Sequence, residues 1–188
     1  FPSKELWPTR TYKLPEFQVT VTTPVDEKTG KRKAYRLGDK VEASVEVAYY
    51  FGGAVANADV ELQVFQNYYY PHWSMPREYP WFYEDMESNR RWYDQGGSIV
   101  KSERVKTDAA GKATITFDTP RGGGQDFDYR IQAKVTDSSR REVVGSGSVR
   151  VTRQKFYVYA NAAHSLYKPQ DKVSVDFRAF DANQEPAS

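Results

Sequence analysis

Apolar and polar side chains alternate along most of this chain, and a period of two marks strands with one buried face. Near the start, Phe17, Val19 and Val21 point one way. Further on, Val41, Ala43, Val45, Val47 and Tyr49 share a face, while Lys40, Glu42, Ser44 and Glu46 take the other. Val60, Leu62 and Val64 repeat the pattern, and Ile99 to Val105 does so more weakly. Ala113, Ile115 and Phe117 follow, then Tyr129, Ile131, Ala133 and Val135, then Val149 and Val151. These runs predict seven strands before residue 153. No segment sustains a helical period with caps, so little helix is expected.

The connections read as turns. Gly52-Gly53 separates the second run from the third, and Asp108-Ala109-Ala110-Gly111 suits a tight hairpin. There the Asp can bond its own backbone and the Gly is free to take a positive φ. Asp137-Ser138-Ser139-Arg140 joins two further runs in the same way. Short antiparallel strands around a two-sided core predict an all-β fold. The expected form is a seven-stranded antiparallel immunoglobulin/fibronectin-like β-sandwich with an aromatic-rich inserted loop. The cysteine pair of antibody domains is absent, so the expectation concerns architecture only.

The pattern then restarts. Tyr35-Arg36-Leu37-Gly38-Asp39-Lys40-Val41 leads into one long strand, and Tyr167-Lys168-Pro169-Gln170-Asp171-Lys172-Val173 leads into another 132 residues later. A repeat of that period reads as tandem domains. Residues 14–153 are expected to form a complete sandwich. Residues 1–13 would be the end of a preceding domain or a linker, and residues 154–188 the truncated start of a next sandwich, too short to close its own core.

One stretch breaks the alternation. Asn67 to Tyr93 holds three of the four tryptophans, a run of tyrosines and three prolines, Pro71, Pro76 and Pro80. The prolines exclude a continuous strand. The rings Tyr68, Tyr69, Tyr70, Trp73, Trp81, Phe82, Tyr83, Trp92 and Tyr93 form a candidate packing or partner surface. Two readings stand side by side. A long irregular loop stays ordered when its own side chains pack, and each ring buries about 150–250 Å². Flat rings with polar edges also suit stacking on sugars or anchoring a protein interface.

Composition narrows the function classes. The 27 basic and 25 acidic side chains leave a net charge of +2, without the clustered Lys and Arg that a nucleic-acid face needs. The basic run Lys28 to Arg36 is interrupted by Thr29, Gly30, Ala34 and Tyr35 and reads as a solvated loop. No stretch has the apolar length of a membrane helix, and Phe1 to Arg10 lacks the apolar core of a signal peptide. Cysteine is absent, which removes disulfides, thiolate metal sites and cysteine nucleophiles together.

Chemistry-bearing constellations are sparse. His72 lies in the aromatic stretch near Glu84 and Asp85, which could offer oxygen ligands beside an imidazole, but a partly buried histidine bonded to backbone is the plainer reading. His164 sits in the incomplete repeat. Gly122-Gly123-Gly124 runs into a strand instead of the helix N-terminus a phosphate cradle requires. No catalytic group, metal or cofactor is expected, and the chain reads as a non-enzyme.

The order of motifs carries a family resemblance. TYKLPEFQV (Thr11–Val19), YRLGDKV, YFGGAVANADVEL (Tyr50–Leu62), TDAAGKATITFDTP (Thr107–Pro120) and DYRIQAKVTDSSRREVVGSGSVRVTR (Asp128–Arg153) resemble a macroglobulin-type domain of bacterial α2-macroglobulin-like proteins. SLYKPQDKVSVDFRAFDANQEP (Ser165–Pro186) resembles the opening of the next such domain. One departure is Gln170, where the first repeat has Gly38. The resemblance implies a periplasmic, cell-envelope or secreted endopeptidase inhibitor built on a row of fibronectin-like sandwiches, and an aromatic-rich insertion at this place. Its partners would be neighbouring domains of the parent chain and, through the whole parent, proteases. Neither a thioester cysteine nor a bait-like segment is present here, so the implied role is scaffold from the N-terminal half. The other reading is a carbohydrate-binding or adhesive β-sandwich module using the aromatic loop 67–93. Edges of the incomplete repeat are expected to let the chain self-associate.

Overall fold

The computed structural model describes residues 16–26, 30, 32–72, 97–164 and 166–187. Among them there is no helix, and ten strands follow one another: β1 (Phe17–Thr22), β2 (Tyr35–Arg36), β3 (Lys40–Tyr49), β4 (Asp59–Tyr69), β5 (Ser98–Lys106), β6 (Lys112–Asp118), β7 (Asp126–Thr136), β8 (Glu142–Thr152), β9 (Phe156–Ala162) and β10 (Val175–Asp181). The first eight form two sheets, ordered β1-β3-β6 and β2-β8-β7-β4-β5.

Alternation decides which faces meet. Phe17, Val41, Ala43, Val45, Val47 and Ile115 of the smaller sheet are fully buried, as are Leu62, Val64, Ile131, Ala133, Val135 and Val151 of the larger. They belong to one continuous core. The registers keep these faces aligned: Val45 pairs with Val21 and Ala113, and Ile131 pairs with Val64 and Gly147. A slip of one residue would turn each set toward water.

The seven runs read from the sequence all become strands, but the all-antiparallel count needs correction. An eighth strand, β2, runs parallel to β8, with Tyr35 opposite Val151 and Arg36 opposite Thr152, so the larger sheet is mixed. Two residues are too few to show a period. The chain leaves β1 in one sheet, touches the edge of the other, and returns to β3 in the first. Tyr35, 2% exposed, anchors that crossing.

Two glycines set the closeness of the sheets at this edge. A Cβ on Gly145 would lie 2.4 Å from the Val19 carbonyl oxygen, and one on Gly147 would lie 3.0 Å from that of Val21. Only glycine lets β1 lie this near to β8. On the opposite side, Lys101 Nζ of β5 donates to the Thr116 carbonyl of β6 at 2.6 Å, bridging the sheets.

Strands β9 and β10 form a separate antiparallel ribbon, with Phe156 opposite Asp181 and Ala162 opposite Val175. The ribbon repeats the pairing of β1 with β3 and the main bonds of the turns around it. Asp39 donates its N–H to Arg36, and 132 residues later Asp171 donates to Lys168. The Asp39 carboxylate accepts from the Arg36 N–H, and that of Asp171 from the Lys168 N–H. Gln170 at φ +76° stands where Gly38 takes φ +93°, so the turn survives the change of residue. Beyond the strands, Tyr49 N–H bonds Gly53 as Asp181 N–H bonds Glu185, and the pair Ala48–Ala54 recurs as Phe180–Pro186. The registers align Phe156 with Phe17 and Phe177 with Val45. Phe17 and Val45 are buried, whereas Phe156 and Phe177 are 49% and 68% exposed.

Candidate functional site

Of the aromatic candidates, Tyr68, Tyr69 and Tyr70 lie within the described residues. Trp73, Trp81, Phe82, Tyr83, Trp92 and Tyr93 lie outside them, as do Glu84 and Asp85. Tyr68 and Tyr69 end β4 and go separate ways, because successive strand residues face opposite sides, and Tyr70 follows the strand. Tyr68 is on the core side and stacks on Phe127 with centroids 5.8 Å apart, yet stays 65% exposed. Phe127 in turn meets Tyr129, which meets Phe117, so a file of rings runs from surface to core. Tyr70, past the strand, is 68% exposed. His72 Nδ1 lies 3.4 Å from the Tyr70 carbonyl oxygen, the backbone contact expected of it, but the residue is exposed and not partly buried, because it follows the end of β4.

Tyr69 faces the outside of the larger sheet and takes part in a junction. The Arg150 guanidinium lies over its ring, 4.7 Å from the centroid. The Tyr69 hydroxyl and Arg150 Nη1 both donate to the Ala182 carbonyl, at 3.4 and 3.1 Å. Ala182 is 1% exposed. It heads the turn after β10, whose Asp181 carboxylate accepts from the Asn183 and Glu185 N–H groups. Asn183 Nδ2 completes the seat by donating to the Arg32 carbonyl at 3.1 Å. The turn is thus held by three polar contacts from three separate segments of the sandwich.

A second contact holds the root of the ribbon. Asp126, 2% exposed, begins β7. One carboxylate oxygen accepts from Arg153 N–H at 2.8 Å and Arg153 Nε at 3.1 Å, and the other accepts from the Tyr157 hydroxyl at 2.6 Å. Burial alone would raise its pKa, but the hydrogen bonds from Tyr157 and Arg153 outweigh it and hold the carboxyl below its ordinary value. Burial and the Asp126 charge push the Tyr157 phenol the other way, well above 10. Both groups are locked in their neutral-pH forms. This suits a fastening and not a proton donor or acceptor, whose pKa should sit near the working pH.

The sequence singled out Tyr69 but not its partners. Asp126 and Asp128 read alike as polar residues at the head of a strand, and Asp126 meets its partners 27 and 31 residues away. Nothing local marks such a meeting. Elsewhere one surface hollow is lined by cross-strand ion pairs. This hollow, of about 450 Å³ at the Asp59 end of β4, holds Arg104 with Glu61 at 3.8 Å and Lys134 with Glu142 at 2.9 Å. Such exposed pairs solvate a sheet face. Among the described residues, no three His, Asp or Glu side chains gather as a metal site would need. Gly122 to Gly124 form an exposed loop that leads into β7.

No protein-family profile and no curated protein matches this sequence. Solved structures do match the fold. Escherichia coli α2-macroglobulin activated by trypsin aligns with 89% of this chain at TM-score 0.57 and 12% identity. The same protein activated by porcine elastase aligns with 90% at 0.57 and 11%. Salmonella α2-macroglobulin reacted with methylamine aligns with 93% at 0.59 and 12%. This chain spans only 12–14% of the length of those proteins. At such identities the likeness is one of fold: the chain is built like a macroglobulin-type stretch of bacterial α2-macroglobulins.

Proposed function

We propose that this chain is a non-catalytic structural domain of an α2-macroglobulin-like, broad-spectrum endopeptidase inhibitor of the bacterial envelope or its exterior. The observation that carries this is the extent of the fold likeness. It covers 89–93% of the chain, more than residues 14–153 alone could supply, so it runs from the sandwich into the ribbon. The order β1-β3-β6 against β2-β8-β7-β4-β5 supports an immunoglobulin- or fibronectin-like assignment for the sandwich. The ribbon's repetition of β1 and β3 supports reading residues 154–188 as the opening of a second sandwich. Its exposed Phe156 and Phe177 then correspond to core positions. Proteases would be met only by the whole inhibitor.

A direct test is to incubate the chain with trypsin or elastase and follow cleavage of a large protein substrate and a small peptide. Both rates should stay unchanged. Selective protection of the large substrate by this chain alone would overturn the scaffold reading.

A second reading, a carbohydrate-binding or adhesive module, is favoured by one observation: the Tyr68 and Tyr70 rings are 65% and 68% exposed at the mouth of the aromatic stretch. A glycan array compared with Tyr68→Ala and Tyr70→Ala chains decides it. Binding lost in both variants, with unchanged melting, supports this reading; an array without signal removes it.

A further inference from the structure

The repeat makes the two turns after β3 and β10 equivalent. Tyr50 corresponds to Ala182, Phe51 to Asn183, and Gly52 at φ +91° to Gln184 at φ +64°. Their surroundings differ. The Ala182 turn is seated on the outer face of the preceding sandwich, beneath Tyr69 and Arg150. The Tyr50 turn stands in solvent, with Tyr50 58% and Phe51 83% exposed. It is not a loose tip. Tyr50 N–H bonds the Glu16 carbonyl, Gly52 N–H bonds Tyr49, and Glu16 pairs with Arg141. Two large rings presented on a braced turn are costly to leave in water.

We propose that the turn Tyr50–Gly53 is a docking knob, and that its partner is the outer sheet face of another β-sandwich of this same construction, as the Ala182 turn's partner is. The inference deepens the scaffold reading and rests on its repeated units. In this arrangement the knob of each unit seats on the unit before it, a heterologous, head-to-tail contact. The occupied seat shows the chemistry required. An Arg stacked on a Tyr ring donates to the carbonyl of the turn's first residue, here that of Tyr50. A cleft of about 270 Å³ remains beside the seated turn, between Ser148 and Arg150 on one side and Gln184 on the other. The seat therefore has room for a side chain larger than Asn183, and Phe51 would stack against the guanidinium.

The test uses whole chains in trans. The donor carries p-benzoylphenylalanine in place of Phe51, and the cysteine-free background leaves the photochemistry free of thiol side reactions. The acceptor is the chain with Ala182→Lys, whose own turn is driven off Arg150 by like charge. Asn183→Lys is a second acceptor should the first fail to fold. Mass spectrometry should map cross-links to Tyr69 and the Ser148–Arg150 strand of the opened acceptor. They should be lost with Arg150→Ala added, and absent with the intact acceptor whose seat is filled. Cross-links equal in intact and opened acceptors, cross-links mapped elsewhere, or none with either opened acceptor would overturn the proposal. Protease inhibition by the chain alone would sink the scaffold reading without altering this cross-link map, so the two failures are distinguishable.

Discussion

At the scale of single residues, the fold stakes most on Asp126. Its folded pKa is depressed, so its stabilisation is full above the unfolded value near 4 and is lost as pH falls through the folded value. Tyr157 is raised, so its share is full below about 10 and is lost as pH climbs through the folded value. Between those limits the fastening is independent of pH. Tyr157→Phe removes the 2.6 Å donor to a buried carboxylate and should cost about 1.5–3 kcal/mol. It should also move the acid midpoint upward in urea titrations run from pH 2 to 7. An unmoved midpoint would show that the bond does not hold the carboxyl down. Backbone strain gives a second residue-scale outcome. Gln170 keeps φ +76° where its counterpart is glycine, so Gln170→Gly should stabilise the ribbon by about 0.5–1 kcal/mol, read by amide exchange at Asp171. The residues that sequence could show were those whose partners lie close along the chain. Asp108 and Asp137 bond the N–H groups two and four residues on, as their turn composition suggested. Asp126 and Arg150 act across the fold and gave no such sign.

At the scale of elements, period two located all seven of the main sandwich strands, because each has a buried face opposite a wet one. It read β5 weakly for a physical reason: β5 is an edge strand, and none of its residues is fully buried. It missed β2, which is held by two pairs and one buried tyrosine. The pattern also could not show that Gly145 and Gly147 serve close approach, since a glycine on an alternating strand looks like a gap in the core face. Gly145→Ala puts a methyl against the Val19 carbonyl and should cost about 1–3 kcal/mol in denaturant titrations. A neutral effect would mean that β1 can withdraw from β8 freely. The ribbon offers the opposite case, an apolar face without a second layer. Phe156, Val158 and Phe177 are exposed on it, and the sheet is only two strands wide, with β10 bridged further by the Phe180–Pro186 pair. Sedimentation of this chain should show concentration-dependent self-association, abolished by removing residues 155–188. A dimer that persists after that removal would place the contact on the sandwich.

At the scale of the whole molecule, the ribbon is fixed on the sandwich at two points, the Asp126–Tyr157 root and the Ala182 seat. The recurrence of Tyr35–Val41 at Tyr167–Val173 was legible in the sequence, and the two turns share their bonds. The seat was not legible, because it joins Arg32, Tyr69, Arg150 and Ala182 from four distant segments. Two such fastenings should hold the ribbon at one angle to the sandwich, whereas modules that merely share a linker move freely. Spin labels on cysteines at Arg104 and Lys172, both exposed and in a chain without native cysteine, measure it by pulsed electron resonance. A single narrow distance distribution, broadened by Ala182→Lys, is the result this account predicts. A broad distribution in the unaltered chain, indifferent to Ala182→Lys, would contradict it.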